Sequence, residues 1–232
     1  MGVEIFDLQR FLAGSPLFSG LSPDELLRIS GSCKLMNYAK GEMIFSVGKA
    51  CEAFHIVVSG QVKLFVVSPA GQEKVIEIIS PGQSFAEALV FLNKPYILSA
   101  QALADTMLVN VSKQGVVSEI EQDPHFALHM LAGVSRRLHG LIQDVEAYAL
   151  RNGMQRLIGY LLRDVAIDSA DASNAVTVTL PASKATIASR LSLTPEYFSR
   201  VLHELEAQQL IAIDRREIQI LDVKKLRGYG TS

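Results

Sequence analysis

Between residues 34 and 115 the apolar positions come in short runs rich in Val, Ile and Phe: MIFSVG, FHIVVSG, VKLFVVS, KVIEIIS, ILSAQALA and MLVNVS. The turn signals KG, SG, PAG and PG separate them at regular intervals, which predicts antiparallel strands wound into a sandwich or barrel. Gly41, Gly48, Gly60, Gly71 and Gly82 fall where tight turns need positive φ. Upstream the texture is helical. In LSPDELLRIS, Ser22 is placed as N-cap, Pro23 at the first helical position and Glu25 three residues on, a capping box.

After the strands, Asp123-Pro124 opens a helix as N-cap and first residue. Its apolar positions Leu131, Val134, Leu138, Leu141, Val145 and Tyr148 are spaced 3, 4, 3, 4, 3, a heptad seam. A helix packed on its own domain is the alternative to a coiled coil. Arg136, Arg137, His139, Gln143, Asp144 and Glu146 flank the seam, while Ile142 and Ala149 widen one side. The narrow seam predicts a parallel dimer helix.

Beyond it come the helical GMQRLIGYLLRDVAI, a polar linker from Asp168 to Asn174 and a strand, VTVTL. Two helices are predicted next, over Ser183 to Arg190 and over Pro195 to Gln208, joined by LSLT with Thr194 as N-cap. That is helix-turn-helix spacing. The strand pair LIAID and EIQILD, joined by Arg215-Arg216, suggests a wing. On the second helix Glu196, Ser199 and Arg200 share one face at i, i+3 and i+4, opposite Phe198, Val201 and Leu202. Arg can grip guanine O6 and N7 with two hydrogen bonds, Glu can accept from cytosine N4, and Ser lets a helix sit deep in the major groove. The competing reading is a solvated Glu-Arg pair. Ser192 stands where such turns usually place Gly, and a left-handed conformation there costs about 1–2 kcal/mol.

Composition narrows the function classes. Of 232 residues, 49% are apolar and 20% charged, as in a globular protein. No apolar run is long enough for a membrane span, and MGVEIFDLQR is not a secretory signal, so a cytoplasmic location is expected. The net charge of −2 is uneven: residues 151–232 carry 11 basic and 9 acidic side chains, the first 150 carry 11 and 15. The slightly basic C-terminal part is compatible with a phosphate-facing module. Cys33 and Cys51 have no partners at metal spacing, which leaves neither a zinc site nor an iron–sulfur cluster to be built from cysteines. An enzyme would need a nucleophile and base or a metal cluster, and Glu87 stands alone, so no enzyme is expected.

These parts, in this order, resemble the cyclic-AMP receptor protein and fumarate-nitrate reduction regulator family of bacterial transcription factors. LFSGLSPDEL, YAKGEMIFSVG, FHIVVSGQVKLF, PAGQEKVIEIISPGQSFAEALVF and LTPEYFSRVLHELEAQQLI carry the likeness over nearly the whole chain. It implies an α+β protein: an N-terminal β-roll of the cyclic-nucleotide-binding (jelly-roll) kind over 1–120, a central dimerisation helix over 121–150 and a C-terminal winged helix-turn-helix over 151–232. It also implies a homodimer on double-stranded DNA, with RNA polymerase as partner. Thr194, Pro195, Glu196, Ser199 and Arg200 would meet the DNA. The E-x-x-S-R pattern matches the fumarate-nitrate branch and implies a palindrome TTGAT, four bases, ATCAA.

The effector pocket implied by the resemblance includes Phe85, Glu87, Tyr96 and Ile97. Where cyclic-AMP binders have an Arg-Ser pair for the phosphate, this chain has Tyr96 and Ile97, so cyclic AMP is not expected. Glu87 would serve another polar contact or bond backbone amides at a turn. FAEA, GQEK and SRRLH are similar to the dissimilatory nitrate respiration regulator branch, implicated in nitric oxide sensing through haem. Haem would want an imidazole ligand, and His55, His125, His129 and His139 are the candidates. His125 and His129 stand at i, i+4, without the glutamate of a zinc-protease motif. Two alternatives stay open: a ligand-binding module acting on a protein partner, and a cyclic-nucleotide-responsive regulator.

Overall fold

The computed structural model describes residues 6–163, 165 and 175–229, and in the longest helix it leaves the side chains of residues 137, 140, 143, 144 and 146–150 undescribed. The expected linker from Asp168 to Asn174, the Tyr148 end of the heptad seam and several of its flanking side chains therefore lie outside the described residues. The chain divides into two compact units, 1–141 and 142–232.

The first unit is a β-roll with helices around it. Two short helices lead in, α1 (Leu8–Ala13) and α2 (Pro23–Ser30). The Ser22–Glu25 capping box at α2 is formed in both directions. Eight strands follow: β1 (Cys33–Tyr38), β2 (Met43–Phe45), β3 (Ala53–Ser59), β4 (Val62–Val67), β5 (Glu73–Ile79), β6 (Ser84–Phe85), β7 (Ser99–Ala102) and β8 (Thr106–Ser112). They form two four-stranded antiparallel sheets, ordered β1-β8-β3-β6 and β2-β7-β4-β5. All five turn glycines have positive φ. At Gly60 the requirement is doubled, because a Cβ there would lie 2.4 Å from the Asp105 carbonyl oxygen.

Helix α3 (Glu87–Leu92) interrupts the strands, α4 (Lys113–Gln122) follows them, and α5 (Pro124–Leu150) is 27 residues long. The Asp123 carboxylate accepts from the His125 amide, 3.0 Å away, and starts α5 as expected. Phe126 of α5 and Phe18 are both buried, and Phe18 meets the Phe126 ring at 6.5 Å and the Phe54 ring of β3 at 6.1 Å. These aromatics fasten α5 and the N-terminal segment to the roll, each burial contributing about 1.5–3 kcal/mol. Close approach comes at Gly133, where a Cβ would lie 2.7 Å from Leu17 Cδ1 and 3.1 Å from the Leu17 carbonyl oxygen. Arg136 then donates to the Pro16 carbonyl at 2.7 Å. It ties down the loop rather than merely flanking the seam. Gly133→Ala is expected to lower stability by about 1 kcal/mol in urea unfolding, since overpacking of about 1–3 kcal/mol exceeds the helix-propensity gain of about 1 kcal/mol. A stabilised variant would contradict this packing.

The second unit holds α6 (Gly153–Leu161), β9 (Val176–Thr179), α7 (Lys184–Arg190), α8 (Pro195–Ala207), β10 (Ile211–Asp214), β11 (Glu217–Ile220) and α9 (Val223–Tyr229). The three strands make a small antiparallel sheet, β10-β11-β9. Ile218 and Ile220 of β11 point inward while Glu217 and Gln219 point out. Phe198, Val201, Leu202 and Leu205 bury one face of α8, and Ile187 and Ala188 of α7 are fully buried. This is a winged helix-turn-helix. No described helix is long and apolar enough to cross a membrane.

Candidate effector cleft and nucleic-acid interface

In the first unit a cleft of about 350 Å³ opens beside the short strand β6. Phe45 and Leu64 from the sheets and Phe85, Ala86, Glu87 and Leu89 form its floor. Ile76 and Glu77 of β5, with Ile97 and Leu98 before β7, make one wall, and Val134, Leu138 and Leu141 of α5 the other. Apart from Glu77 and Glu87 the described residues that line it are apolar, with no Arg, Lys or His among them. Glu87 begins α3, is 3% exposed, and has Ser84 Oγ 3.4 Å from its Oε1. Ala86, directly before it, is held at φ 69°, a left-handed conformation for a residue with a Cβ, which stores about 1–2 kcal/mol at the edge of the cleft.

Phe85, Glu87 and Ile97 therefore line the cleft, but Tyr96 does not. Neighbours in an extended segment face opposite ways, and Tyr96 turns into the core. Its ring stacks on Phe45 with centroids 3.6 Å apart, and its hydroxyl stands 3.1 Å from the Ala53 carbonyl and 3.2 Å from His55 Nε2. A buried hydroxyl needs such partners. Burial also raises the Tyr96 phenol above its ordinary range.

The four candidate histidines stand outside the described lining of this cleft. His55 is 4% exposed, and its Nδ1 lies 2.7 Å from Asn110 Oδ1, so both ring nitrogens are engaged. Desolvation pushes its pKa down to about 4, opposed by the Asn110 hydrogen bond. His125 is exposed at the start of α5, His129 is half-buried against Gly20, and His139 is exposed. None of the four lines the cleft. Among the described residues no group of three His, Cys, Asp or Glu side chains could hold a metal ion. Cys33 is pushed up to about 12 by burial, and burial likewise raises Cys51, which makes both thiols poor nucleophiles.

On the second unit, the Thr194 hydroxyl accepts from the Tyr197 amide at 3.2 Å and caps α8, with Pro195 as its first residue. Glu196 and Arg200 are exposed, and Ser199 beside them is half-buried. The Arg200 guanidinium lies over the Tyr197 ring, 4.9 Å from its centroid. Among the described residues no Glu196–Arg200 ion pair is formed, so Arg200 is not spent on the competing surface pair. Ser192 in the connecting turn has φ 55°, the strained conformation that the missing glycine predicted. The Leu193 amide there donates to the Ala188 carbonyl at 2.9 Å and closes the turn. Across the sheet, Arg215 and Arg216 are exposed at the tip of the β10–β11 hairpin.

A β-roll with a small-molecule cleft, a long helix and a winged helix-turn-helix define the class of effector-domain transcription regulators. Residues 35–123 match the cyclic nucleotide-binding domain family and residues 155–229 the Crp-like helix-turn-helix domain family. The CRP-like cAMP-activated global transcriptional regulator of Mycobacterium tuberculosis is 21% identical over 219 residues, 94% of this chain and 98% of that protein. A Ruegeria pomeroyi protein proposed to bind cyclic nucleotides superposes with a TM-score of 0.68 at 31% identity, covering 97% of each chain. The structure of DNR from Pseudomonas aeruginosa matches with a TM-score of 0.53 at 35% identity, over 95% of this chain and 96% of that one. The chain belongs to the cyclic-AMP receptor protein and fumarate-nitrate reduction regulator family, whose members are transcription regulators rather than enzymes.

Proposed function

We propose that the chain is an effector-responsive, homodimeric regulator that binds a TTGAT-N4-ATCAA-like palindrome in the cytoplasm and acts there on RNA polymerase. Residues 1–120 would serve as sensor, 121–150 as dimer helix and 151–232 as DNA-binding head. The observation that carries the reading is the face of α8: Glu196, Ser199 and Arg200 opposite the buried Phe198, Val201 and Leu202. A capped, well-packed helix that offers a guanidinium and a carboxylate at its N-terminal end has what major-groove readout requires. The exposed wing arginines suit phosphate contacts, which set affinity rather than sequence preference.

Dimerisation is supported by the outward face of α5. Leu131, Leu138 and Val145 are 63%, 57% and 65% exposed, and Leu128 and Ile142 are exposed beside them. Such a strip calls for a partner surface, and a second copy aligned on the same strip gives the two-fold symmetry that a palindrome reflects. Val134 is half-buried in its own unit, so the seam is divided between the roll and the partner. A Leu131→Asp, Val145→Asp double variant is expected to elute as a monomer and to lose palindrome binding at concentrations that saturate the parent. A dimer of unchanged size would remove α5 from the account.

The function itself is tested by gel shift on the palindrome, on a scrambled duplex and on a palindrome with a six-base spacer, over a salt titration. The palindrome alone is expected to give a discrete complex at physiological salt. Equal, weak binding to all three would instead favour a module that acts on a protein partner. Haem and nitric oxide are not carried into this reading, because no imidazole lines the cleft. Nor is cyclic AMP, because Tyr96 and Ile97 stand where cyclic-AMP binders have an Arg-Ser pair for the phosphate, and no cationic side chain lines the cleft among the described residues.

A further inference from the structure

We infer that Gly153, at the start of α6, and Tyr197 of α8 are positioning residues that set the direction of Arg200 and so its choice of base. The inference rests on the reading of α8 as the base-reading helix. Its contacts all lie within the second unit. The half-buried Tyr197 ring carries the exposed Arg200 guanidinium, 4.9 Å from its centroid. The same ring lies against Gly153, where a Cβ would stand 2.6 Å from Tyr197 Cε1, 3.0 Å from Tyr197 Cζ and 2.9 Å from Leu193 Cδ2. Gly153 is the first residue of α6 and does not have positive φ. What the glycine supplies there is room for the ring, not freedom for the backbone.

What must yield to a methyl group at residue 153 follows from how α6 is held. Asn152 Oδ1 accepts from the Gln155 amide and Gln155 Oε1 from the Asn152 amide, both at 2.9 Å, a capping box that fixes the helix start. One turn on, Arg156 Nη1 donates to the Leu191 carbonyl at 2.8 Å and fastens α6 to the turn before α8. The backbone of α8 is in turn anchored by the buried Phe198, Val201 and Leu202. The three atoms nearest the added methyl all belong to side chains. The Tyr197 ring therefore swings, and the guanidinium stacked on it loses its platform. A bidentate Arg–guanine contact needs the fork in one plane and one direction, and an arginine held there beforehand has less freedom to lose on binding.

Gly153→Ala tests this on the full-length protein. Ala is the better helix former, so the variant does not work by weakening α6. Without DNA, the Arg200 Nε–H proton signal in NMR, assigned by its loss in Arg200→Ala, reports the ring current of Tyr197. It is expected upfield in the parent and in Tyr197→Phe, and near the position of an unstacked arginine in Gly153→Ala and Tyr197→Leu. With DNA, the readout is the ratio of affinities for the TTGAT palindrome and for a duplex altered at its guanine pairs. Gly153→Ala should lower that ratio about 2- to 5-fold, the equivalent of about 0.5–1 kcal/mol of exposed stacking, and Tyr197→Phe should keep it. In an Arg200→Ala background Gly153→Ala should lower it no further, because residues that act through one another are not additive. An unmoved Arg200 signal or an unchanged ratio in Gly153→Ala, a Tyr197→Phe loss as large as that of Tyr197→Leu, or an equal fall in the Arg200→Ala background would each overturn the proposal. A parent with no preference for the palindrome removes the regulator reading and the positioning role with it. A parent whose preference survives in Gly153→Ala removes the positioning role alone.

Discussion

Arg200→Ala is expected to weaken binding to the TTGAT palindrome by roughly 30-fold to 10⁴-fold while changing binding to unrelated duplex by less than about 10-fold. One bidentate Arg–guanine pair gives about 1–3 kcal/mol of discrimination. A two-fold dimer makes it twice, so the loss is about 2–6 kcal/mol, at about 1.4 kcal/mol per tenfold. The structure favours the upper part of that range over a solvated arginine. Arg200 is stacked on Tyr197 and so held near one orientation before DNA arrives. Tyr197→Leu should accordingly give a smaller loss, of a few-fold, since only about 0.5–1 kcal/mol of exposed cation–π attraction is removed. Fluorescence anisotropy on the palindrome and on a duplex altered at the guanine pairs gives both numbers. If Arg200→Ala weakens all sequences alike, Arg200 is a phosphate contact.

Acid should loosen the sensor unit well before its carboxylates are all protonated. His55 is buried and neutral, with a pKa lowered from 6.5 to about 4 by desolvation. In the unfolded chain it titrates near 6.5. Below that pH the unfolded state binds a proton that the folded state refuses, so this contribution is intact above 6.5 and is lost as pH falls toward 4. The gap amounts to about 3 kcal/mol at about 1.4 kcal/mol per pH unit, a large share of the stability of a domain this size. Urea midpoints at pH 7 and pH 4.5 measure it, with His55→Gln as control. Gln can still hydrogen-bond toward Asn110 and Tyr96 but does not titrate, so its midpoint should fall less between the two pH values. Equal falls in parent and variant would assign the acid sensitivity elsewhere.

Much of this was legible in the chain because the local signals agree with the tertiary ones. Ser22, Asp123 and Thr194 cap the helices they were expected to cap, and the wing strands pair as LIAID and EIQILD suggested. Other elements give weaker signals. Strand β1 has Lys34, Leu35, Met36 and Asn37 all exposed, so no inward and outward alternation marks it. Helix α4 has Gly115 in its first turn and buries Glu119, whose carboxylate is paired with Arg28 of α2 at 2.7 Å. A buried acid with a partner 91 residues away has no local signature. Helix α3 lies in an apolar run that reads equally as strand, and the direction of Tyr96 depends on a partner at His55 that only the folded sheet brings near.

In the proposed function two chains together read one palindrome. Sedimentation velocity with a labelled TTGAT-N4-ATCAA duplex and increasing protein tests it most directly. A single complex of two chains per duplex is expected, formed without a one-chain species and absent on the scrambled duplex. A complex of one chain per duplex, or the same complexes on both sequences, would contradict it.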